Sequence, residues 1–146
     1  MKNYTEALQI IEEAVSSFGT EEVDVRSANG VIANDIFSSH PVPSFSNSAM
    51  DGYCLKSSIT DKACSDNHIE FQVKGSIFAG DEPPSNIKDF DVYEIMTGAK
   101  MPDDMDTVLP VEKGKLIEKD GSKFLLINEP VKKNANVRKS GEDFKK

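Results

Sequence analysis

Between Tyr4 and Phe18 the apolar positions recur at helical spacing, with Ala7, Leu8, Ile11, Ala14 and Val15 on one stripe. Asn3 stands at the N-cap position with Glu6 three residues on, the reciprocal capping arrangement. Gly19 is placed to stop the helix. A helix this short is marginal alone and needs a partner surface. A second short helix or turn is expected over Ser27–Ile32, leading through Ala33–Phe37 into a proline-rich connector. From Gly52 onward the pattern changes to that of strands. Tyr53–Leu55, Ile69–Ile77, Asp91–Ile95, Thr107–Val111, Lys115–Glu118 and Phe124–Asn128 are short β-branched or aromatic segments separated by turn residues. Lys119–Ser122 reads as a hairpin turn, Asp81–Asn86 as a polar turn and Ser57–Asn67 as a loop. The pattern therefore predicts a mixed α+β, β-rich fold, a helical and extended lobe joined to a compact β-barrel-like or sandwich-like lobe.

Composition narrows the classes of function. The 146 residues suffice for one ordinary domain or two small lobes. An apolar share of 38% implies a modest core, long polar loops, or a surface covered by something else. Lys and Arg number 17 against 25 Asp and Glu, a net charge of −8. That balance argues against nucleic acid and against anionic membrane surfaces as partners. The Met1 end shows no apolar leader, and no run approaches the roughly 18 apolar residues of a membrane span, so a cytoplasmic protein is expected. In a reducing compartment Cys54 and Cys64 are expected as free thiols. Cys64 and His68, four residues apart, match no structural zinc spacing, and no cysteine or histidine is assigned a catalytic role.

The densest local pattern is PVPSFSNSAMDGY, from Pro41 to Tyr53. Pro41 and Pro43 fix their own φ and push the preceding residues into extended conformations. Asn47 and Ser48 can bond nearby backbone and define a turn, and Gly52 permits a close backbone approach. Asp51 is thereby held on a stiff connector. Read alone, the same residues are better described as a Pro/Asn/Gly linker between two lobes.

Two further segments extend the pattern: EIMTGAKMPDDMDTVLPVE (Glu94–Glu112) and NVRKSGEDF (Asn136–Phe144). With the Ala79–Gly80 pair, they stand in an order and spacing that resembles the N-terminal region of the MoeA/gephyrin-E family, the molybdopterin molybdotransferases. The resemblance runs from about Glu21 to the last residues. It implies a connecting lobe made of residues 1–46 and 136–146, an inserted β-rich lobe of residues 47–135, and a following catalytic α/β domain beyond this sequence. It implies transfer of molybdenum from molybdate to adenylylated molybdopterin with release of AMP, by a homodimer. Magnesium is the expected cofactor, with its ligands in that following domain and none assigned in this chain.

Carried over by position, the resemblance makes Asp51, Thr97 and Asp143 catalytic candidates and Ser48, Met50 and Gly98 cofactor-binding candidates. Each has a plainer reading: Asp51 shapes a turn, Thr97 caps a strand end, Asp143 is a solvated charge near Arg138 and Lys139. Asp104 and Met105 stand where the family usually has Gly-Ala, so Asp106 and Glu112 are left out of the site. TGAKMP lacks the phosphate-loop pattern, and the groups that bind anionic substrate are expected elsewhere. Two other classes remain open on the residues: a non-catalytic dimerisation or scaffold module, and a free-standing carboxylate hydrolase using Asp51, Glu142 and Asp143.

Overall fold

A computed structural model describes residues 2–16, 19–30, 32 and 34–146. The chain divides into two compact units, Met1–Ile36 and Phe37–Lys146.

In the first unit helix α1 covers Tyr4–Ala14. Its capping box forms as the sequence indicates: Glu6 N–H donates to Asn3 Oδ1 (2.9 Å) and Asn3 N–H to Glu6 Oε2 (3.0 Å). The helix stops earlier than the apolar stripe suggested, with Val15 already extended as its C-cap. A β-branched residue followed by Ser16 weakens continuation there. Ser17 and Phe18 lie outside the described residues, as do Val31 and Ala33. The element expected at Ser27–Ile32 is a turn displaced toward the N-terminus. Ser27 N–H donates to Asp24 C=O (2.8 Å), while Asp24 Oδ1 accepts the Arg26 N–H (2.9 Å). The side chain of Asp24 captures the backbone before a helix can begin.

The second unit is built on sheet. The strands are β1 (Asn47–Ser48), β2 (Gly52–Leu55), β3 (Ile69–Ile77), β4 (Asp91–Ile95), β5 (Thr107–Pro110), β6 (Lys115–Lys119), β7 (Ser122–Ile127) and β8 (Val137–Arg138). Six of them form one sheet in the order β5-β2-β4-β3-β7-β6, and β1 pairs separately with β8. All neighbours are antiparallel except β3 and β4, which run parallel. Residues 78–90 make that crossover, a length parallel pairing demands. Closure into a barrel is not seen: β5 and β6 end the strand order, and no pairing joins them among the described residues. Within the expected loop Ser57–Asn67, residues Ser57–Lys62 wind into a 3-10 helix.

β2 is buried on both faces, so its side chains divide between two apolar clusters. Tyr53 and Leu55 pack with Phe71, Val92, Leu109 and Leu125. Cys54 packs with Ile77, Ile95, Ala99, Met105 and Val108. The odd residues at Asp104 and Met105 have a structural use: Met105 fills the second cluster, and Asp104 Oδ2 accepts the Ile87 N–H (3.1 Å).

The outer edge of β5 does not face water. Val108 N–H donates to Ala135 C=O (3.0 Å), Asn136 Nδ2 to Val108 C=O (2.9 Å), and Thr107 Oγ1 to Lys132 C=O (2.9 Å). Residues 132–136 thus cover an edge that would otherwise be open for pairing. The β6 edge carries Lys115 and Lys119 instead, charges that discourage pairing with another chain.

Gly52 is the tightest point of this packing. A Cβ there would lie 2.1 Å from Leu109 O and 2.9 Å from Val108 Cγ1. The obstacle is backbone, which no rotamer change relieves. Gly52→Ala is expected to cost about 3 kcal/mol or more in urea unfolding. Gly75→Ala is the control, since its Cβ would meet only Tyr93 at 3.7 Å. Equal stability of the two variants would remove the close approach as a constraint on the fold.

Candidate functional site

The pairing of β2 with β4 places the site. Gly52 stands opposite Ile95 in an antiparallel ladder, so the residue before β2 meets the residues just after β4. Those are Asp51 and Thr97, 46 positions apart in sequence. Asp51 Oδ1 accepts both the Thr97 N–H (2.8 Å) and the Thr97 hydroxyl (2.7 Å). Asp51 C=O also accepts the Val111 N–H at the end of β5 (3.1 Å), so the residue is anchored through backbone and side chain.

Both residues sit on tight turns. Ala99 N–H closes on Met96 C=O (3.0 Å), a turn that needs the left-handed φ of Gly98 (+81°). Ser48 ties this turn to the Asp51 turn. Its N–H donates to Ala99 C=O (3.0 Å) and its C=O accepts the Gly98 N–H (2.9 Å). Its hydroxyl donates to Met50 C=O (2.5 Å). Ser48 is 1% exposed, so its polar atoms are spent inside the protein. It supports the turn, while Met50 is half-buried and Gly98 is exposed beside Thr97.

Asp51 is exposed, and the two Thr97 bonds, the backbone one first, hold its carboxyl below the usual carboxylate value. It is therefore ionised throughout the neutral range. Oδ1 is occupied, whereas Oδ2 has no hydrogen-bond partner among the described residues. One oxygen thus fixes the group and the other is presented outward, able to accept from water, a hydroxyl or an ammonium, or to face a cation. The Thr97, Gly98 and Ala99 amides donate to Asp51, Ser48 and Met96, leaving this turn no free amide for a phosphate.

Asp143 stands on a different turn. Its Oδ2 accepts Arg138 Nη2 at 2.6 Å, and its N–H donates to Val42 C=O (2.9 Å). Arg138 pairs with Asn47 across β1 and β8, so this turn joins the connector one residue from Ser48. The structure brings Asp51, Thr97, Ser48 and Gly98 together; no hydrogen bond or ion pair among the described residues links Asp143 to them. Of the carboxylates in the hydrolase alternative, Glu142 is occupied locally: its Oε2 accepts the Lys139 N–H (2.8 Å). Arg138, unassigned from sequence, is the group that balances Asp143, and its position five residues earlier was the available signal.

Asp106, set aside from the site, has a structural task. It accepts the Ser57 N–H (2.8 Å) and hydroxyl (3.0 Å), capping the 3-10 helix. Cys54 is buried and its thiol is pushed up to about 12 by desolvation, while Cys64 is exposed; both are free. Among the described residues no three His, Cys, Asp or Glu side chains converge to hold a metal ion.

Comparison with known proteins adds the following. A family model described as the MoeA N-terminal region (domain I and II) matches residues 2–146. A molybdopterin molybdenumtransferase of Haemophilus influenzae is 35% identical over 139 residues, 94% of this chain and 32% of the relative. The Bacillus subtilis molybdopterin molybdenumtransferase is 32% identical over 120 residues, 82% of this chain and 28% of its own length. The crystal structure of a molybdopterin biosynthesis MoeA protein from Pyrococcus horikoshii OT3 superposes with a TM-score of 0.77 at 30% identity, covering 98% of this chain and 37% of that one. The chain thus spans about a third of the length of the curated relatives it matches.

Thr97→Val removes the hydroxyl bond and keeps the backbone one. The Asp51 pKa is expected to rise toward its ordinary 3.8, read by carboxyl carbon NMR titration. Because the native pKa is depressed, the stabilisation from these bonds is present above the unfolded pKa and is lost as pH falls through the native one. An unchanged titration in the variant would mean the hydroxyl does not hold the carboxylate.

Proposed function

This chain belongs to the family of MoeA N-terminal regions, domains I and II, and on that premise we propose that it is the N-terminal part of a cytoplasmic molybdopterin molybdenumtransferase. In this reading the full-length enzyme takes molybdate and adenylylated molybdopterin, places molybdenum on the dithiolene sulfurs and releases AMP. Residues 1–46 and 136–146 form its connecting lobe, and residues 47–135 its β-rich lobe. The single observation that carries the reading is the Asp51–Thr97 contact, which joins two separate motifs at one end of the sheet.

The chain contributes a wall with a fixed anionic oxygen. The lowered pKa suits Asp51 to holding a hydrogen-bond donor in place rather than to storing a proton. Water leaving molybdate, or a substrate hydroxyl, is a donor of the right kind for Oδ2. Thr97 orients the carboxylate, and Asp143, balanced by Arg138, flanks the connector. Magnesium would screen phosphate charge in such a reaction. The described residues do not form a magnesium cage of their own, so no step is assigned to that ion here. With a net charge of −8 and no amide cradle, the chain also leaves recognition of anionic substrates to cationic groups outside it.

One observation favours an assembly role alongside catalysis. α1 buries none of its residues, and Leu8, Ile11 and Val15 are 41%, 60% and 70% exposed. Such a stripe suits a homodimer contact or a scaffold.

Asp51→Asn in the full-length protein separates these roles. Molybdate-dependent cofactor formation is expected to fall by roughly a hundredfold, the order seen when a positioned polar group is removed from a reacting centre. Oligomeric state and circular dichroism should be unchanged. Full activity in the folded variant would exclude Asp51 from the chemistry and leave assembly as the better account.

A further inference from the structure

The chain holds Asx-Gly steps at Asn29–Gly30, Asp51–Gly52 and Asp120–Gly121, and the structure treats them differently. At Asp51–Gly52 the side chain is bound by Thr97, and Gly52 is packed on Leu109. Asp120 and Gly121 form the hairpin turn between β6 and β7, with Lys119 paired to Ser122. Asn29 and Gly30 are both exposed, and no hydrogen bond holds the Asn29 carboxamide or the Gly30 amide among the described residues. Apart from its two chain neighbours, nothing lies within 4 Å of where a Gly30 Cβ would stand, so no other described segment packs on that side of the Gly30 backbone. The pair also lines an open cleft of about 720 Å³ with Thr20, Glu21 and Ser27, which admits water.

We propose that Asn29 is a self-processing modification site, converting to isoaspartate and aspartate through a cyclic imide with Gly30. The Gly30 nitrogen attacks Asn29 Cγ, forming a C–N bond, and the Cγ–Nδ2 bond breaks. Ammonia leaves with the proton lost from the Gly30 amide. Water then opens the imide at either carbonyl; opening at the main-chain carbonyl leaves Gly30 attached through the side chain. The balance is one water taken up and one ammonia released, with no oxidant or reductant. The product adds a negative charge to a chain already at −8, and the iso form adds a methylene to the backbone of the Met1–Ile36 unit. Glycine is the residue that makes this attack fast, because it has no side chain to crowd the imide.

The test ages the 146-residue chain at mildly alkaline pH, in buffer and in urea, and follows the tryptic peptide Ser27–Lys56 by mass spectrometry. That peptide also carries Asn34 and Asn47 as internal comparators. Asn47 is 7% exposed with its Nδ2 donating to Phe45 C=O, a protected reference. Asn29 is expected to convert several-fold faster than either comparator, and at the same rate in urea as in buffer, whereas Asn47 accelerates on unfolding. In buffer an isoaspartyl methyltransferase should label the aged peptide, and Asn29→Gln should remove most of the label, leaving only what Asp51–Gly52 and Asn47 contribute. Conversion of Asn29 that lags behind Asn34, or that rises several-fold in urea, would overturn the proposal.

Discussion

The double pairing of β2 is the constraint on which the rest depends. Each residue from Gly52 to Cys54 is matched on one side by β4 and on the other by β5, while both faces of the strand are buried. A strand held in this way cannot slip, because a shift of one residue would send Tyr53 and Leu55 into the cluster that holds Cys54. The end from which Asp51 emerges is therefore as fixed as the core itself. Placing a carboxylate there, outside the burial but inside the register, gives positional accuracy without the desolvation cost of a buried charge.

The same logic separates the two kinds of aspartate in the chain. Asp106 uses both oxygens on Ser57, and its backbone meets Leu55 and Asn134, so it acts as a joint between segments. Asp51 commits one oxygen to Thr97 and turns the other outward. Asp143 is matched by a guanidinium in a pair where both partners are about half exposed, an arrangement that screens its charge and contributes little to stability. Only one of the three is both fixed and open, and that difference comes from hydrogen-bond accounting rather than from residue type.

How much of this the sequence carried depends on the range of the interaction. The capping box of α1, the Lys119–Ser122 hairpin and the positions of six strands follow from neighbours a few residues apart, and the structure has them. Asp51 and Thr97 were singled out by a resemblance across motifs, and their direct contact then follows from the Gly52–Ile95 register. Closure of the sheet was not legible, because whether β5 meets β6 is decided by residues 132–136 lying along β5, a contact no local pattern announces. The two-residue strands β1 and β8 were missed for the same reason: their partners stand 89 and 91 positions apart and leave no period to read. The helix end was misplaced because the apolar stripe continues through Val15 while the backbone has already become extended.

The relation between the Asp51 turn and the Asp143 turn follows from these bonds. Ser48 reaches the Thr97 turn through Gly98 and Ala99, and reaches the Asp143 turn through the pairing of β1 with β8. Asp51 and Asp143 are thus referenced to one buried residue although no hydrogen bond joins them among the described residues. A displacement of β8 would be felt at Ser48 before it was felt at Asp51, since the side-chain bonds of Asp51 go to Thr97 and its backbone to Val111. The Asp51 turn is thus referenced to the six-stranded sheet, whereas Arg138 and Asp143 are referenced to a two-stranded ribbon whose Asn47 and Ser48 are buried and whose Val137 packs on the second apolar cluster.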